Sequence, residues 1–180
     1  MQKQKKNITK RLVLDAVLIA LYVLLGYFKI PIGNILRVNM ASFAVVICAV
    51  AFGPVDGLIV GFMGEFLSQI LGPYGLTPTT ALWALPEGAR GLLLGCAMIL
   101  LRKKDRTMFL FLLSCILSGI VASLLNTFAL YVDSKMYGYY TDYMVFGVLL
   151  IRLGIAIVMS GMFGYIARII VSALRRNKLI

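Results

Sequence analysis

The stretch MFLFLLSCILSGIVASLLNTFALY, Met108 to Tyr131, decides the fold. Its 24 residues include no charged side chain. At about 1.5 Å per residue, an α-helix of that length reaches roughly 36 Å, enough to cross a hydrocarbon core about 30 Å thick. In such a solvent a helix satisfies every backbone hydrogen bond within its own segment. The stretch therefore reads as a transmembrane helix.

Outward from it, the same pattern repeats. Before Met108 lies the hydrophilic turn Arg102-Lys103-Lys104-Asp105-Arg106, and before that an apolar block from about Thr80 to Leu101. Pro86 sits inside this block and predicts a kink or an opening there. The turn-rich run Gly72-Pro73-Tyr74-Gly75-Leu76-Thr77-Pro78-Thr79 predicts a structured loop. Further back come a helix over about Val55 to Leu71 and a short one over about Met40 to Phe52, stopped at Gly53-Pro54. A polar break (Lys29, Pro31, Gly33, Asn34, Arg37) separates these from a first helix over about Leu12 to Phe28. Downstream of Tyr131, a tyrosine-rich loop (Tyr137, Tyr139, Tyr140) leads into a helix over about Tyr143 to Leu174.

The expected fold is all-α and membrane-integral, one compact bundle of six transmembrane helices over residues 1–180. A basic segment, 1–11, opens it and a basic tail, 175–180, closes it. Composition agrees: 61% of the residues are hydrophobic and 14% charged, where a soluble domain carries about a quarter charged. The first apolar block is long and leads into more spans, so it reads as a retained helix rather than a cleaved signal.

Charge fixes the expected orientation. The N-terminal segment, the 102–106 turn and the C-terminal end hold 13 of the 18 Lys and Arg. Basic residues collect on the cytoplasmic side of spans, which places both termini of this multi-pass membrane protein in the cytoplasm. The net charge of +11 is thereby accounted for without nucleic acid, for which no basic aromatic face exists outside the spans.

The chain contains no histidine, which removes His-dependent nucleophilic chemistry and H-E-x-x-H zinc sites. Cys48, Cys96 and Cys115 fall inside apolar blocks without a C-x-x-C pairing and are expected to be buried small hydrophobes. No enzyme activity, cofactor or metal site is expected.

Polar residues within the spans carry the functional reading. Arg90 and Arg152 lie deep in predicted helices, as do Glu65 and Glu87. A charge in the bilayer costs at least about 2.5–3.5 kcal/mol, so these residues should face the bundle interior and pair. Thr80, Trp83, Glu87 and Arg90 share one helical face, and so do Gly61, Glu65, Ser68 and Gln69. Two readings stand: a ligand cavity open to the outside, or an ion-pair network such as Glu65 with Arg90 that locks helices. The candidate substrate-binding set is Arg37, Glu65, Gln69, Tyr74, Trp83, Glu87, Arg90, Asn126 and Arg152. Counted over Arg37, Arg90 and Arg152 against Glu65 and Glu87, the site is one charge positive, which favours an anion. Gly53, Gly57 and Gly61, Gly91 and Gly95, and Ala16 and Ala20 recur at four-residue spacing, which lets helix backbones approach closely. Internal packing is the default reading, contact with another subunit the alternative.

Taken together, the chain resembles the substrate-binding S components of energy-coupling-factor (ECF) vitamin importers. The resemblance rests on length and topology, on Ala16-x-x-x-Ala20, on Phe52-Gly53-Pro54-x-x-Gly57-x-x-x-Gly61-x-x-Gly64, and on the Gly72-Pro73-Tyr74 loop. Members often carry Asp where Glu65 stands. The resemblance implies a high-affinity binder of a vitamin or its precursor, folate-like as the first guess, with cobalamin, pantothenate or another precursor open. It also implies partners: a transmembrane coupling subunit that docks at Ala16 and Ala20, and two cytoplasmic ATPases. No G-x-x-x-x-G-K-[ST] motif occurs in the chain itself. The competing classes are a self-sufficient secondary transporter or channel, which should show inverted repeats, and a membrane enzyme, which should show clustered carboxylates. Neither signature is evident, since Asp15, Asp56 and Asp105 stand singly.

Overall fold

The computed structural model describes residues 2–32, 36–73, 75–101 and 108–177, with main chain alone for 2–8, 29–32 and 36–38. It contains six helices: α1 (Gln2–Gly26), α2 (Ser42–Ala51), α3 (Pro54–Ile70), α4 (Thr80–Leu101), α5 (Met108–Met136) and α6 (Leu149–Arg176), the last preceded by a π-helical turn, Tyr143–Gly147. Among the described residues, three segments can cross a membrane by length and composition alone: Thr80–Leu101, Met108–Met136 and Tyr143–Arg176.

Three boundaries differ from the sequence reading. α1 starts ten residues early, because Lys, Gln and Arg are good helix formers and the basic segment continues the helix. α5 runs five residues past Tyr131, because Asp133 and Ser134 are buried against neighbours rather than solvated in a loop. The break after α1 is not irregular. It is an antiparallel hairpin of β1 (Lys29–Ile32) and β2 (Leu36–Asn39), paired Lys29 to Asn39 through Ile32 to Leu36.

The ten-residue α2 is the centre of the bundle. It is apolar on nearly every side and buried at Ser42 and from Ala44 to Ala49, as expected of a helix without a polar face. Val46, Ile47 and Ala49 join Leu94 and Met98 of α4, Phe111 and Cys115 of α5, and Phe163, Ala167 and Val171 of α6 in the main core. Cys48 and Cys115 are buried as expected, whereas Cys96 is exposed on the outer side of α4.

Helices α3 and α4 make the closest pair. A Cβ at Gly57 would lie 2.8 Å from the Gly91 carbonyl oxygen, one at Gly61 would overlap the backbone of Glu87, and one at Gly95 would overlap Pro54. These glycines serve internal packing. Gly64 does the same for α1, since a Cβ there would lie 2.7 Å from the ring of Tyr22. Ala16 and Ala20 behave differently and are exposed on α1. Gly53, at φ 111°, holds a backbone conformation that suits glycine and turns the chain from α2 into α3.

One end of the bundle gathers basic groups onto the end of α2. Arg11 of α1 donates to the Phe52 carbonyl at 2.9 Å and to Asp56 Oδ2 at 2.8 and 2.5 Å. Arg175 of α6 donates to the Val50 carbonyl at 3.1 Å. The last carbonyls of a helix lack internal donors, and here two guanidiniums supply them. Asp15 is buried beside this cluster and accepts from the Cys48 thiol at 3.7 Å.

Candidate functional site

At the opposite end from the basic cluster, the helices enclose a cavity of about 390 Å³. Its polar wall comes from the first four helices: Tyr22 of α1, Ser42 of α2, Glu65 of α3, and Trp83, Glu87 and Arg90 of α4. The facing wall, from α5 and α6, is mostly small or apolar, with Gly119, Ala122, Ala156, Met159 and Phe163. Asn126 and Arg152 also border it. Concave, largely apolar and furnished with a few convergent polar groups, it has the form of a small-molecule site.

Glycine packing sets the polar wall. Because Gly61 allows α3 to rest against the backbone of Glu87 itself, Glu65 and Glu87 enter the same cavity from adjacent helices. Gly64 leaves room for the fully buried Tyr22 ring, whose hydroxyl donates to Glu65 Oε2 at 2.6 Å. Gln69 stands one step back and donates to Glu65 Oε1 at 2.7 Å. Ser42 donates to Glu87 Oε1 at 2.7 Å. Arg90, 6% exposed, donates to Ser160 of α6 at 2.9 Å and lies 3.8 Å from Glu87 Oε1. Among the described residues, two atoms in this wall are buried without a hydrogen-bond partner: Arg90 Nε and Glu87 Oε2.

Loops approach the mouth. Arg152 donates to the Met144 carbonyl at 3.1 Å, inside the π-helical turn, and both residues border the cavity. Such turns interrupt the regular ladder and are common at functional sites. The loop before α4 is pinned to the end of α5: Thr79 donates to the buried Asp133 at 2.5 Å, and Tyr139 donates to the same carboxylate. Within that loop, the Thr77 amide donates to Thr80 Oγ1 at 2.9 Å. Beyond it, the Lys135 ammonium sits 3.8 Å above the Tyr140 ring.

Of the residues predicted for the site, Glu65, Trp83, Glu87, Arg90, Asn126 and Arg152 come together around the cavity. Gln69 acts through Glu65. Tyr74 and the Arg37 side chain lie outside the described residues, although the Arg37 backbone belongs to β2. The described wall carries two arginines and two glutamates, and the expected positive excess rests on Arg37, whose side chain lies outside the described residues. Tyr22, Asn39, Ser42 and Ser160 were missed. Ser160 had a signal, since it lies two turns from Arg152 on the same face of α6. Tyr22 had none, being one aromatic in an apolar helix.

Residues 10–176 match the model of the family described as "ECF transporter, substrate-specific component". Among solved structures, the S component for biotin from an ECF-type ABC transporter superposes with a TM-score of 0.66 at 17% identity, covering 98% of this chain and 94% of that one. The S component of a bacterial ECF transporter superposes with a TM-score of 0.58 at 18% identity, covering 95% and 96%.

Proposed function

Because the chain belongs to the family of ECF transporter substrate-specific components, membrane-embedded substrate-binding subunits rather than enzymes, we propose that its cavity captures a vitamin or vitamin precursor for import. The observation that carries this reading is the polar wall. Two glutamates and two arginines converge on one cavity of about 390 Å³, although each costs free energy to place within a membrane. A pure helix lock would bring those charges into full mutual pairing. Here Arg90 Nε and Glu87 Oε2 stay without partners among the described residues.

In this proposal all six helices span the bacterial cell membrane and both termini are cytoplasmic. The cavity then opens outward, and the Arg11, Arg168 and Arg175 end faces the cytoplasm by the positive-inside rule. The partners are a transmembrane coupling subunit and two cytoplasmic ATPases. Ala16 and Ala20 are exposed on α1 in a row with Leu12 (63% exposed) and Leu24 (58%), which supports a flat apolar docking strip. A folate-like ligand is the first choice from the Gly72-Pro73-Tyr74 loop, ahead of cobalamin, pantothenate or another precursor. Biotin, the ligand of one structural neighbour, joins that group.

The test is transport in reconstituted vesicles. The chain alone should bind its vitamin without accumulating it, and accumulation should require the coupling subunit, the ATPases and ATP. Ala16→Trp should abolish that uptake and leave binding by the isolated chain unchanged. Robust uptake by the chain alone, driven by a proton or sodium gradient, would refute the proposal in favour of a secondary transporter.

A further inference from the structure

At the basic end of the bundle, away from the candidate substrate site, a second cavity of about 260 Å³ lies among the ends of α2, α4 and α6 and the start of α5. Met98, Phe111 and Val171 give it a buried apolar wall. From α6, Arg168, Ser172 and Arg175 line it at intervals of four and three, hence from one helical face. Ser172 and Arg175 are exposed and Arg168 is half-buried, so the polar side reaches the surface. Among the described residues, Arg168 is weakly held: it donates to the Met108 thioether, and its guanidinium lies 5.5 Å from the centre of the Phe111 ring. A thioether is a weak acceptor, whereas a guanidinium matches carboxylate or phosphate. The Ser172 hydroxyl donates within its own helix to the Ile169 carbonyl at 2.8 Å. Arg175 adds a second positive charge while donating to Val50. The chain between Leu101, which lines the cavity, and Met108 adds four basic residues and one acidic, Asp105.

We propose that this cavity holds the head of an anionic phospholipid. Its phosphate meets Arg168 and Ser172, with the charge of Arg175 beside them. One acyl chain runs from the apolar wall onto the helix ends, where Leu100 (72% exposed), Phe109 (72%) and Ile169 (52%) present apolar surface. Basic pockets between membrane helices suit such headgroups, and a basic surface draws anionic lipid toward it. An acidic peptide would match the arginines but press backbone polar groups against Met98, Phe111 and Val171, at a cost in desolvation. A free phosphate would leave that apolar wall wet. The proposal needs only a bilayer around the bundle, and it stands whatever the other cavity binds.

The full chain in non-ionic detergent is melted with increasing dioleoyl-phosphatidylglycerol or zwitterionic dioleoyl-phosphatidylcholine, followed by the emission of Trp83, its single tryptophan. Phosphatidylglycerol should raise Tm by roughly 5–10 °C at saturation, and phosphatidylcholine by less than half as much. Arg168→Gln should weaken phosphatidylglycerol about tenfold or more, and Arg168→Lys less, since it keeps the charge. Arg176→Gln removes an equal charge from the same end but lies outside the cavity lining, and should leave the affinity unchanged. Equal shifts from the two lipids overturn the proposal. A loss in Arg176→Gln matching that in Arg168→Gln does so too, because it reduces the effect to surface charge. Glycerol phosphate reproducing the full shift without acyl chains removes the lipid. An Asp105→Asn protein that melts as low as Arg168→Gln in lipid-free detergent makes that aspartate the partner of Arg168 and refutes the site. A Tm raised by an added coupling subunit and by neither lipid assigns the cavity to a protein instead. If Arg168→Gln does not fold, Ser172→Ala replaces it, with about a fivefold loss expected and an unchanged affinity counting against the site.

Discussion

Gly61→Ala tests the helix contact on which the cavity depends. A Cβ at position 61 would lie 2.7 Å from the Glu87 carbonyl carbon and 3.0 Å from the Gly88 amide nitrogen. Carbon atoms pack best at about 3.5–4.0 Å, so α3 and α4 must part by roughly 1 Å. Both obstructing atoms are backbone and cannot rotate away. Overpacking of this kind costs about 1–3 kcal/mol. At about 2–4 °C per kcal/mol for a chain of this length, Tm should fall by roughly 2–12 °C. Gly154→Ala is the matched control, because a Cβ at that α6 position meets nothing within 4 Å. It should raise Tm by roughly 2–4 °C, since alanine is favoured over glycine in a helix by about 0.8–1.0 kcal/mol. Melts of both variants in one detergent, with ligand titration on the same samples, give the readout. Gly61→Ala should also weaken binding, because it moves Glu87 away from Glu65, whereas Gly154→Ala should not. A Gly61→Ala protein that melts at or above wild type would refute the reasoning.

Three further outcomes follow from contacts around the cavity and at the basic end. Tyr22→Phe removes the donor to Glu65 Oε2 and should cost about 1.5–3 kcal/mol, as for other hydrogen bonds to charged groups, read as a lower melting temperature. Thr79→Val frees the loop before α4 from Asp133. Loss of about 1 kcal/mol should speed ligand release roughly fivefold, measured by stopped-flow emission of Trp83, and an unchanged release rate would take that loop out of the gating path. Arg11→Ala should destabilise the protein more than the Arg11→Ala, Asp56→Asn double variant, because the single change strands a buried carboxylate. The pair itself is worth about 1 kcal/mol or less, since the Arg11 side chain is 52% exposed. Equal melting temperatures for the two variants would count against that account.

Helix periodicity made most of the bundle legible. The bounds of α4, Thr80–Leu101, were readable to the residue, because threonine after a proline-rich turn and the basic run after Leu101 punctuate it on both sides. The shared face of Trp83, Glu87 and Arg90 was likewise a matter of period alone. Partner choice was not legible. Glu65 takes its hydroxyl from Tyr22, 43 positions away, and Arg90 reaches Ser160, 70 positions away. Those pairings are set by how α1 and α6 pack, which no single-helix period encodes. The hairpin was hidden for a different reason. Its strands are four residues each, and Pro31, Gly33 and Asn34 between apolar spans read as a break before they read as strands and a turn. The extension of α5 past Tyr131 depends on Asp133 being satisfied by Thr79 and Tyr139, which polarity alone disguises as loop.

The shortness of α2 has a consequence for where empty space can exist in such a bundle. Ten residues make a rod of about 15 Å, half the thickness of a hydrocarbon core about 30 Å deep. Its far end is anchored by Arg11 and Arg175 at the basic face, so the whole shortfall is delivered to the other half. Asn39 and Ser42, at its start, border the cavity. The void is thus the missing upper portion of a central pillar, vacated when the chain is spent on the β1–β2 hairpin instead of about three more turns. Capacity in this protein is set by a helix length, and adding turns ahead of Ser42 would plug the site without touching a single residue of its polar wall.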